Sequence, residues 1–167
     1  MKRTAIKAAK EAGKIILSYY SKNVNAVGKG STYNLVTKAD IASENKIISI
    51  IKDKFPGHSI LTEESGEEIH KSDYCWVIDP LDGTNNFYHK FPMFCVSIAL
   101  YKKGRPLIGV VFDQLKKELF YAEKNEGAFL NNKQIKVSGS NKLSKSLLAL
   151  GFYYERGSLM SKTGFVP

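Results

Sequence analysis

The chain has 167 residues and carries 25 Lys and Arg against 16 Asp and Glu, a formal charge of +9 at pH 7. Its hydrophobic fraction of 43% and aromatic fraction of 11% exclude a disordered or low-complexity chain. No apolar run approaches the roughly 20 residues that a membrane helix requires, and the basic N-terminus lacks the apolar stretch of a signal peptide. We therefore expect a cytoplasmic protein that does not enter a membrane.

The positive charge is scattered and does not favour nucleic-acid binding. Only Arg3, Arg105 and Arg156 are arginines, and the lysines form no block longer than a pair. Arginine is the residue that most often contacts phosphates and bases through two hydrogen bonds. The carboxylates are concentrated instead, because seven of the 16 fall between Glu63 and Asp82. A carboxylate cluster in a cationic chain indicates a locally bound cation.

Two amphipathic helices are predicted in the first third of the chain. Apolar residues recur at three- and four-residue spacing from Thr4 to about Tyr20, the period of a helix with one buried face. A polar, glycine-containing stretch over residues 22–30 then predicts a loop. A second helix is predicted over residues 40–55, and Pro56 with Gly57 ends it.

After the second helix the sequence changes to short runs rich in β-branched and aromatic residues. Their short connectors suit hairpins and an antiparallel meander. Two helices followed by such strands predict an α+β fold, with the helices packed on one face of a largely antiparallel sheet. No repeat or linker is evident, so we expect one domain over residues 1–167. The predicted strands cover residues 59–62, 74–78, 94–101, 107–112, 118–122, 128–130, 134–137 and 147–150.

The segment VIDPLDGTNNF, residues 77–87, carries the most specific chemical signal. Pro80 cannot donate to a sheet ladder and is expected to end the strand, so that Asp79 at its end and Asp82 in the turn converge. Gly83 permits a tight bend, after which backbone N–H groups can form an anion site. Two carboxylates beside an anion site are what Mg²⁺-dependent phosphate chemistry requires.

Two alternatives stay open at this point. Asp, Pro and Gly are ordinary turn residues, so DPLDG is also consistent with a capped turn. Glu63 and Glu64 follow a predicted strand and favour a metal site, because a buried strand rarely runs into two acids without a counter-charge. The alternative is an exposed acidic loop that continues through Glu67 and Glu68. Together the two carboxylate groups predict a two-metal phosphoesterase. Because no HExxH, CxxC or GxSxG motif occurs, a metal-activated water is the expected nucleophile.

These motifs resemble those of the inositol monophosphatase family of Mg²⁺-dependent, lithium-sensitive phosphatases. WVIDPLDGTNNF, residues 76–87, resembles the family's metal-binding signature D-P-[IL]-D-G-T-x-N-F. The other matches, in the same order, are NLVTKAD (34–40), LTEES (61–65), FP (91–92) with VSI (96–98), and GF (151–152). The resemblance implies the first half of the family's αβαβα sandwich, a cytoplasmic location and hydrolysis of a small polyol or sugar phosphate, most simply inositol 1-phosphate.

The resemblance also implies which residues bind the metal ions. Glu63, Asp79 and the Leu81 carbonyl would bind the first Mg²⁺. Asp79 and Asp82 would share the second. Leu81 and Asp82 would in addition border the substrate. In this scheme one ion generates the nucleophile and the other stabilises the leaving alkoxide.

The remaining matched positions would act on water and phosphate. Thr84, paired with Asp40, would orient and help to deprotonate the attacking water. The backbone N–H groups of Gly83 and Thr84 would bind the phosphate. Glu64 would assist catalysis from behind the metal ligands or help to hold a third, weaker ion, and Lys29 would lie on a loop that closes near the metals.

The resemblance does not select a substrate or an assembly. Relatives act on fructose 1,6-bisphosphate, histidinol phosphate or 3′-phosphoadenosine 5′-phosphate, and homodimers are common. Some bacterial relatives associate with transcription or ribosomal machinery, so the alternative is a non-catalytic protein that binds RNA or protein. Relatives also continue into a second α/β half with a W-D-x-A-[AG]-like motif, whose aspartate completes the second metal site. That motif does not occur in this sequence. We therefore expect an N-terminal half with one apolar sheet face uncovered.

Overall fold

Two long helices and an eight-stranded sheet make up most of the fold. The computed structural model describes residues 1–21, 27–28, 35–36 and 38–148. The helices are α1 (Lys2–Tyr20), α2 (Lys38–Lys54) and α3 (Thr84–Tyr88), and a 3₁₀ turn spans Leu143–Lys145. The strands are β1 (Val27–Gly28), β2 (Leu35–Val36), β3 (Ser59–Thr62), β4 (Gly66–Glu68), β5 (Tyr74–Asp82), β6 (Cys95–Lys102), β7 (Arg105–Asp113), β8 (Glu118–Glu123), β9 (Gly127–Leu130) and β10 (Lys133–Ile135).

The large sheet has the strand order β10-β9-β8-β7-β6-β5-β3-β4, and β1 pairs with β2 in a separate antiparallel ribbon. From β5 onward each strand pairs antiparallel with the next, as the short connectors predict. The exception to antiparallel pairing is β3, which runs parallel to β5. Helix α1 packs on β6 and β7, and α2 packs on β5. The prediction of an α+β fold with a largely antiparallel sheet is confirmed.

Small residues bring α1 close to its neighbours. The buried face of this helix is mostly alanine, and a Cβ atom added at Gly13 would lie 2.7 Å from the ring of Phe112 on β7. Close approach of this kind is possible only without a side chain. Among the described helices, none is both long and apolar enough to cross a membrane. The fully buried α1 positions are Ala5, Ala8, Ala9, Ala12 and Ile16, and those of α2 include Ala39, Ile47 and Ile51.

Strand β5 does not end at Pro80, contrary to the prediction. It continues to Asp82, and the register shifts so that Asp79 pairs with Ser97 and Asp82 with Cys95. The bulge places Pro80 between these two pairs, so its missing N–H costs no regular ladder bond. The prediction failed because a proline such as Pro80 is compatible both with a β-bulge and with the end of a strand.

Other boundaries also differ from the predicted ones. The expected loop over residues 22–30 contains strand β1, and residues 66–68 form strand β4 rather than part of an acidic loop. Gly66 makes the tight turn into β4 possible, since its φ is +84°. At the C-terminal end, residues 147–148 are not in a strand, and 149–150 lie outside the described residues.

A half-buried histidine, His58, packs at the start of β5. The Trp76 indole Nε1, on a fully buried side chain, donates a hydrogen bond of 3.1 Å to His58 Nδ1. The His58 ring stacks between Phe55 and Tyr74, at centroid distances of 4.9 and 4.7 Å. Burial lowers the pKa of His58 below its usual value, and the charge of the chain's amino terminus lowers it further. The neutral ring is therefore the form that accepts this hydrogen bond.

We predict that His58 makes the fold sensitive to acid. Its pKa is lower in the folded than in the unfolded chain, so its contribution to stability is full above about pH 6.5. That contribution is lost as the pH falls through the folded-state pKa. The free energy of unfolding, measured by urea titration at pH 7.5 and pH 5, should fall less in His58→Gln than in the original chain. His89→Gln, at an exposed histidine, is the control. An unchanged acid sensitivity in His58→Gln would contradict the prediction.

Candidate active site

The bulged end of β5 places two carboxylates and a carbonyl close together. Asp79 Oδ1 accepts a hydrogen bond of 3.1 Å from the Leu81 N–H, which closes a local turn over Pro80. Leu81 is 1% exposed and fixes this turn against the core, whereas Asp82 is exposed. The turn therefore packs against the core through the Leu81 side chain and presents the Asp82 carboxylate to solvent.

Gly83 makes the sharp bend that follows β5. Its φ is +89°, and an added Cβ would lie 2.9 Å from the Met93 carbonyl oxygen, so a side chain is excluded on both grounds. The chain then enters the short helix α3 at Thr84. This bend directs the first turn of α3 back beside Leu81, where the Thr84 hydroxyl donates to the Leu81 carbonyl at 2.9 Å.

Asp40 comes to the same place from the helix layer. It lies in the first turn of α2, is 2% exposed, and its Oδ2 lies 3.5 Å from Thr84 Oγ1. The positive end of the helix dipole favours a carboxylate at this position. The structure therefore brings together Asp40 and Thr84, the two residues expected to orient water, at the outer limit of a hydrogen bond.

Glu63, Asp79 and Asp82 bring their negative charges together. Burial, together with the negative charges of Glu63 and Asp82, raises the pKa of Asp79 to about 7. The Glu63 side chain itself is exposed. Carboxylates held this close together need either a shared proton or a bound cation.

Cys95 lies beside this group, although no sequence motif assigned it to the site. Its Sγ donates to Asp82 Oδ2 at 3.7 Å. Burial raises the pKa of the Cys95 thiol to about 12, and the neighbouring aspartates contribute. The thiol therefore stays protonated at neutral pH and acts as a weak donor to Asp82.

Two buried polar residues of α2 were also missed. Glu44, 3% exposed, accepts backbone hydrogen bonds from the segment that follows β3. Ser43 donates to the Asp40 carbonyl at 2.9 Å and lies 3.4 Å from the Pro80 carbonyl. The available signal was the spacing, since Asp40 and Glu44 are one helical turn apart on a face that must be buried.

The donor set suits Mg²⁺, which binds oxygen ligands and usually keeps several waters. Glu63, Asp79, Asp82 and the Leu81 carbonyl are all oxygen donors, and their mutual repulsion is relieved by a cation. Within the described part of the chain, no three acidic, His or Cys side chains form a preassembled metal cluster. This is compatible with an ion that completes its shell with water and substrate oxygens. Lys29 and residues 34 and 37 of the NLVTKAD motif lie outside the described residues.

The fold, with two helices packed on a largely antiparallel sheet, is the one that the sequence motifs imply. The profile of the inositol monophosphatase family matches residues 1–166. The chain therefore belongs to the inositol monophosphatase family.

The chain is similar to family proteins with two different names. It is 43% identical over 162 residues to the Nus factor SuhB of Pasteurella multocida, covering 96% of this chain and 61% of that protein. It is 45% identical over 153 residues to inositol-1-monophosphatase of Synechocystis, covering 91% of this chain and 53% of that protein. A crystal structure of the extragenic suppressor protein suhB from Bartonella henselae superposes with a TM-score of 0.81 at 36% identity, covering 84% of this chain and 55% of the other. The chain thus spans a little over half the length of the relatives it matches.

We predict that Asp79→Asn abolishes Mg²⁺ binding and leaves the chain folded. Asparagine retains the oxygen that accepts from the Leu81 N–H but removes one of three clustered charges. In EDTA the melting temperature should rise, by about 2–4 °C for each kcal/mol of repulsion relieved. The upward shift that Mg²⁺ produces in the original chain should disappear.

The control for this substitution is Asp73→Asn, which removes an exposed carboxylate before the other end of β5. Asp73 pairs with Lys103 at 3.4 Å, and exposed pairs contribute less than about 1 kcal/mol. Melting curves with and without Mg²⁺ should therefore match those of the original chain. A Mg²⁺-induced shift that persists in Asp79→Asn would remove Asp79 from the metal site.

Proposed function

We propose that this chain is a Mg²⁺-dependent phosphomonoesterase of small polyol or sugar phosphates. The observation that carries the proposal is the position of the Asp79 carboxylate, the Leu81 carbonyl and the Thr84 hydroxyl beside the buried Asp40. Inositol 1-phosphate is the first substrate to test, and fructose 1,6-bisphosphate, histidinol phosphate and 3′-phosphoadenosine 5′-phosphate are the alternatives. Similarity to the Synechocystis inositol-1-monophosphatase is the reason for testing inositol 1-phosphate first.

The proposal assigns Mg²⁺ to Glu63, Asp79, the Leu81 carbonyl and Asp82. When bound, the ion supplies a lower pKa for water and neutralises charge on the transferring phosphoryl group. Asp79 and Leu81 are preorganised for this role by their hydrogen bond over Pro80. Glu64, which is half-buried next to Glu63, is assigned to the support of these ligands.

Thr84 has one hydroxyl hydrogen and two acceptors within reach. These are the Leu81 carbonyl at 2.9 Å and the Asp40 carboxylate at 3.5 Å. A hydrogen directed to Asp40 leaves the Thr84 oxygen as an acceptor for a proton of the attacking water, and buried Asp40 holds that orientation. Backbone N–H groups that are held in place stabilise negative charge as it develops in the transition state. The Gly83 and Thr84 N–H groups are therefore assigned to bind the phosphate oxygens.

The direct test is phosphate release from inositol 1-phosphate by the 167-residue chain, with Mg²⁺, with EDTA and with Li⁺. Release that needs Mg²⁺ and is inhibited by Li⁺ is expected. The three alternative phosphates are assayed in parallel to rank substrates by kcat/KM. A folded chain that binds Mg²⁺ but releases phosphate from none of the four substrates would contradict the proposal.

Thr84→Ala should lower kcat by about 100-fold or more, the range of a lost general acid–base contribution. The Mg²⁺ dissociation constant should change by less than about threefold, because the assigned ligands are all retained. Thr84→Ser, which keeps the hydroxyl, is the matched control and should recover most of the turnover. A wild-type kcat in Thr84→Ala would exclude the hydroxyl from the water-orienting role.

A second candidate function is binding of nucleic acid within a transcription assembly. The Nus factor name of the Pasteurella relative favours it, and so does one surface of α1. Arg3, Lys7, Lys10 and Lys14 are all exposed, and their spacing places them within about 60° of arc around this helix. Four cations in line can follow a phosphate backbone.

The salt dependence of RNA binding tests this second function. If the cations of α1 contact phosphates, log K should fall against log[salt] with a slope of about −0.7 for each contacted phosphate of a single strand. Neutralising Lys7 and Lys10 together should reduce that slope by about 1.4. Binding that is absent at 50 mM salt, or a slope unchanged by the double substitution, would exclude this surface as an RNA site.

A further inference from the structure

Glu44 is a buried carboxylate whose partners are backbone groups of the segment carrying Glu63. Its Oε2 accepts the Glu64 N–H at 3.2 Å, and its Oε1 accepts the Ser65 N–H at 3.2 Å. The side chain lies on α2 and is only 3% exposed. Burial of an ionised carboxylate is costly unless hydrogen bonds compensate it, and here each oxygen has a backbone donor.

These two hydrogen bonds connect the two halves of the site. The Glu64 N–H is the first backbone donor after Glu63, and Asp40 lies one helical turn before Glu44 on α2. A single side chain therefore fixes the distance between the helix that presents Asp40 and the segment that presents Glu63. The Thr62 hydroxyl reinforces the same turn, since it accepts the Ser65 N–H at 3.2 Å.

The segment that carries Glu63 needs the hydrogen bonds to Glu44 because electrostatic repulsion opposes the position of Glu63 beside the other carboxylates. Glu63 is exposed and faces the negative charges of Asp79 and Asp82. Without a tether, repulsion would favour a Glu63 that turns towards solvent. The backbone hydrogen bonds to Glu44 oppose this movement before any cation arrives.

We propose that Glu44 is a positioning residue, which holds the segment after β3 so that Glu63 faces Asp79 and is ready to bind a divalent cation. This inference rests on the proposed function. The role requires a carboxylate and not merely a polar side chain. The two N–H donors meet different oxygens of Glu44, so an amide in the same position would place its NH₂ group opposite one of the two donors.

Glu44→Gln is the informative variant, because it retains the size of the side chain and removes one acceptor. Mg²⁺ binding is measured by calorimetry on the full 167-residue chain, with circular dichroism to establish folding. Residues that orient metal ligands typically change affinity by about 10–100-fold when they are substituted, so we expect Mg²⁺ affinity to fall at least about tenfold.

Glu67→Gln is the matched control. Glu67 is exposed on β4 and pairs in register with Leu61, so the substitution removes an equal charge close to the same segment without touching the Glu44 hydrogen bonds. Mg²⁺ affinity should change by less than about twofold. A folded Glu44→Gln variant with unaltered Mg²⁺ affinity would overturn the proposal, and so would an equal loss in Glu67→Gln, because the effect would then be one of net charge.

Amide hydrogen exchange in the metal-free chain gives a second measurement, and its first comparison uses the original chain alone. The Glu64 and Ser65 amides should be protected in the original chain, and in Glu44→Gln they should exchange faster while β5 and β6 amides keep their protection. Unprotected Glu64 and Ser65 amides in the original chain would overturn the proposal.

The two proposals fail in different ways. If the original chain binds Mg²⁺ but releases no phosphate, the proposed enzymatic function is contradicted. The role of Glu44 is then decided by comparing the Mg²⁺ affinities of the original chain, Glu44→Gln and Glu67→Gln. An original chain that binds no Mg²⁺ would overturn both.

Discussion

Pro80 interrupts the hydrogen-bond ladder of the central strand, and the geometry of the site depends on this interruption. A regular strand would alternate its side chains, with Asp79 and Leu81 on one face and Asp82 on the other. The register shift between Asp79 and Asp82 breaks that alternation. The Leu81 N–H turns to Asp79 instead of the neighbouring strand. Both aspartates and the Leu81 carbonyl are thereby available at one strand end, and the buried Leu81 side chain keeps the irregular backbone in place.

The helix layer stabilises this irregular strand end by polar contacts as well as by packing. Asp40, Ser43 and Glu44 are buried on the first two turns of α2, and their side chains meet groups of α3, of β5 and of the turn after β3, respectively. Buried polar groups are tolerated when they are hydrogen-bonded. The same groups that connect α2 to the sheet therefore also position the candidate catalytic residues, and folding and site assembly share one set of contacts.

Much of the fold followed from patterns that are local in sequence. The three- and four-residue spacing in α1, and the short connectors after β5, each depend on neighbours within a few residues, so helix, meander and α+β class were predictable. The role of Asp79 and Asp82 as neighbouring carboxylates was also predictable, because they are three residues apart. The bulge was not, because it depends on the partner residues Ser97 and Cys95, which come later in the chain.

The buried acids Asp40 and Glu44 show more clearly that features which depend on distant residues are not predictable from local patterns. Asp40 was assigned through the resemblance, whereas Glu44 has no distinctive motif and looks like any helix glutamate. Its burial is set by residues 64 and 65, some 20 positions away. A polar residue on an otherwise apolar helix face is a signal only after the packing of that face is known. Contacts between distant segments were therefore the part that the sequence did not reveal.

The parallel pairing of β3 with β5 has a consequence for how metal binding and folding are coupled. Parallel strands cannot be joined by a tight turn, so Glu63 meets Asp79 only after the intervening β4 hairpin has formed, and Thr84 meets Asp40 across 44 positions of sequence. An unfolded chain has no comparable concentration of carboxylates, so a divalent ion bound at the proposed site would bind the native state selectively and shift the equilibrium towards it. Under the proposed function, divalent-ion affinity would therefore report completed tertiary structure, and low magnesium would leave a larger fraction of the molecules unfolded.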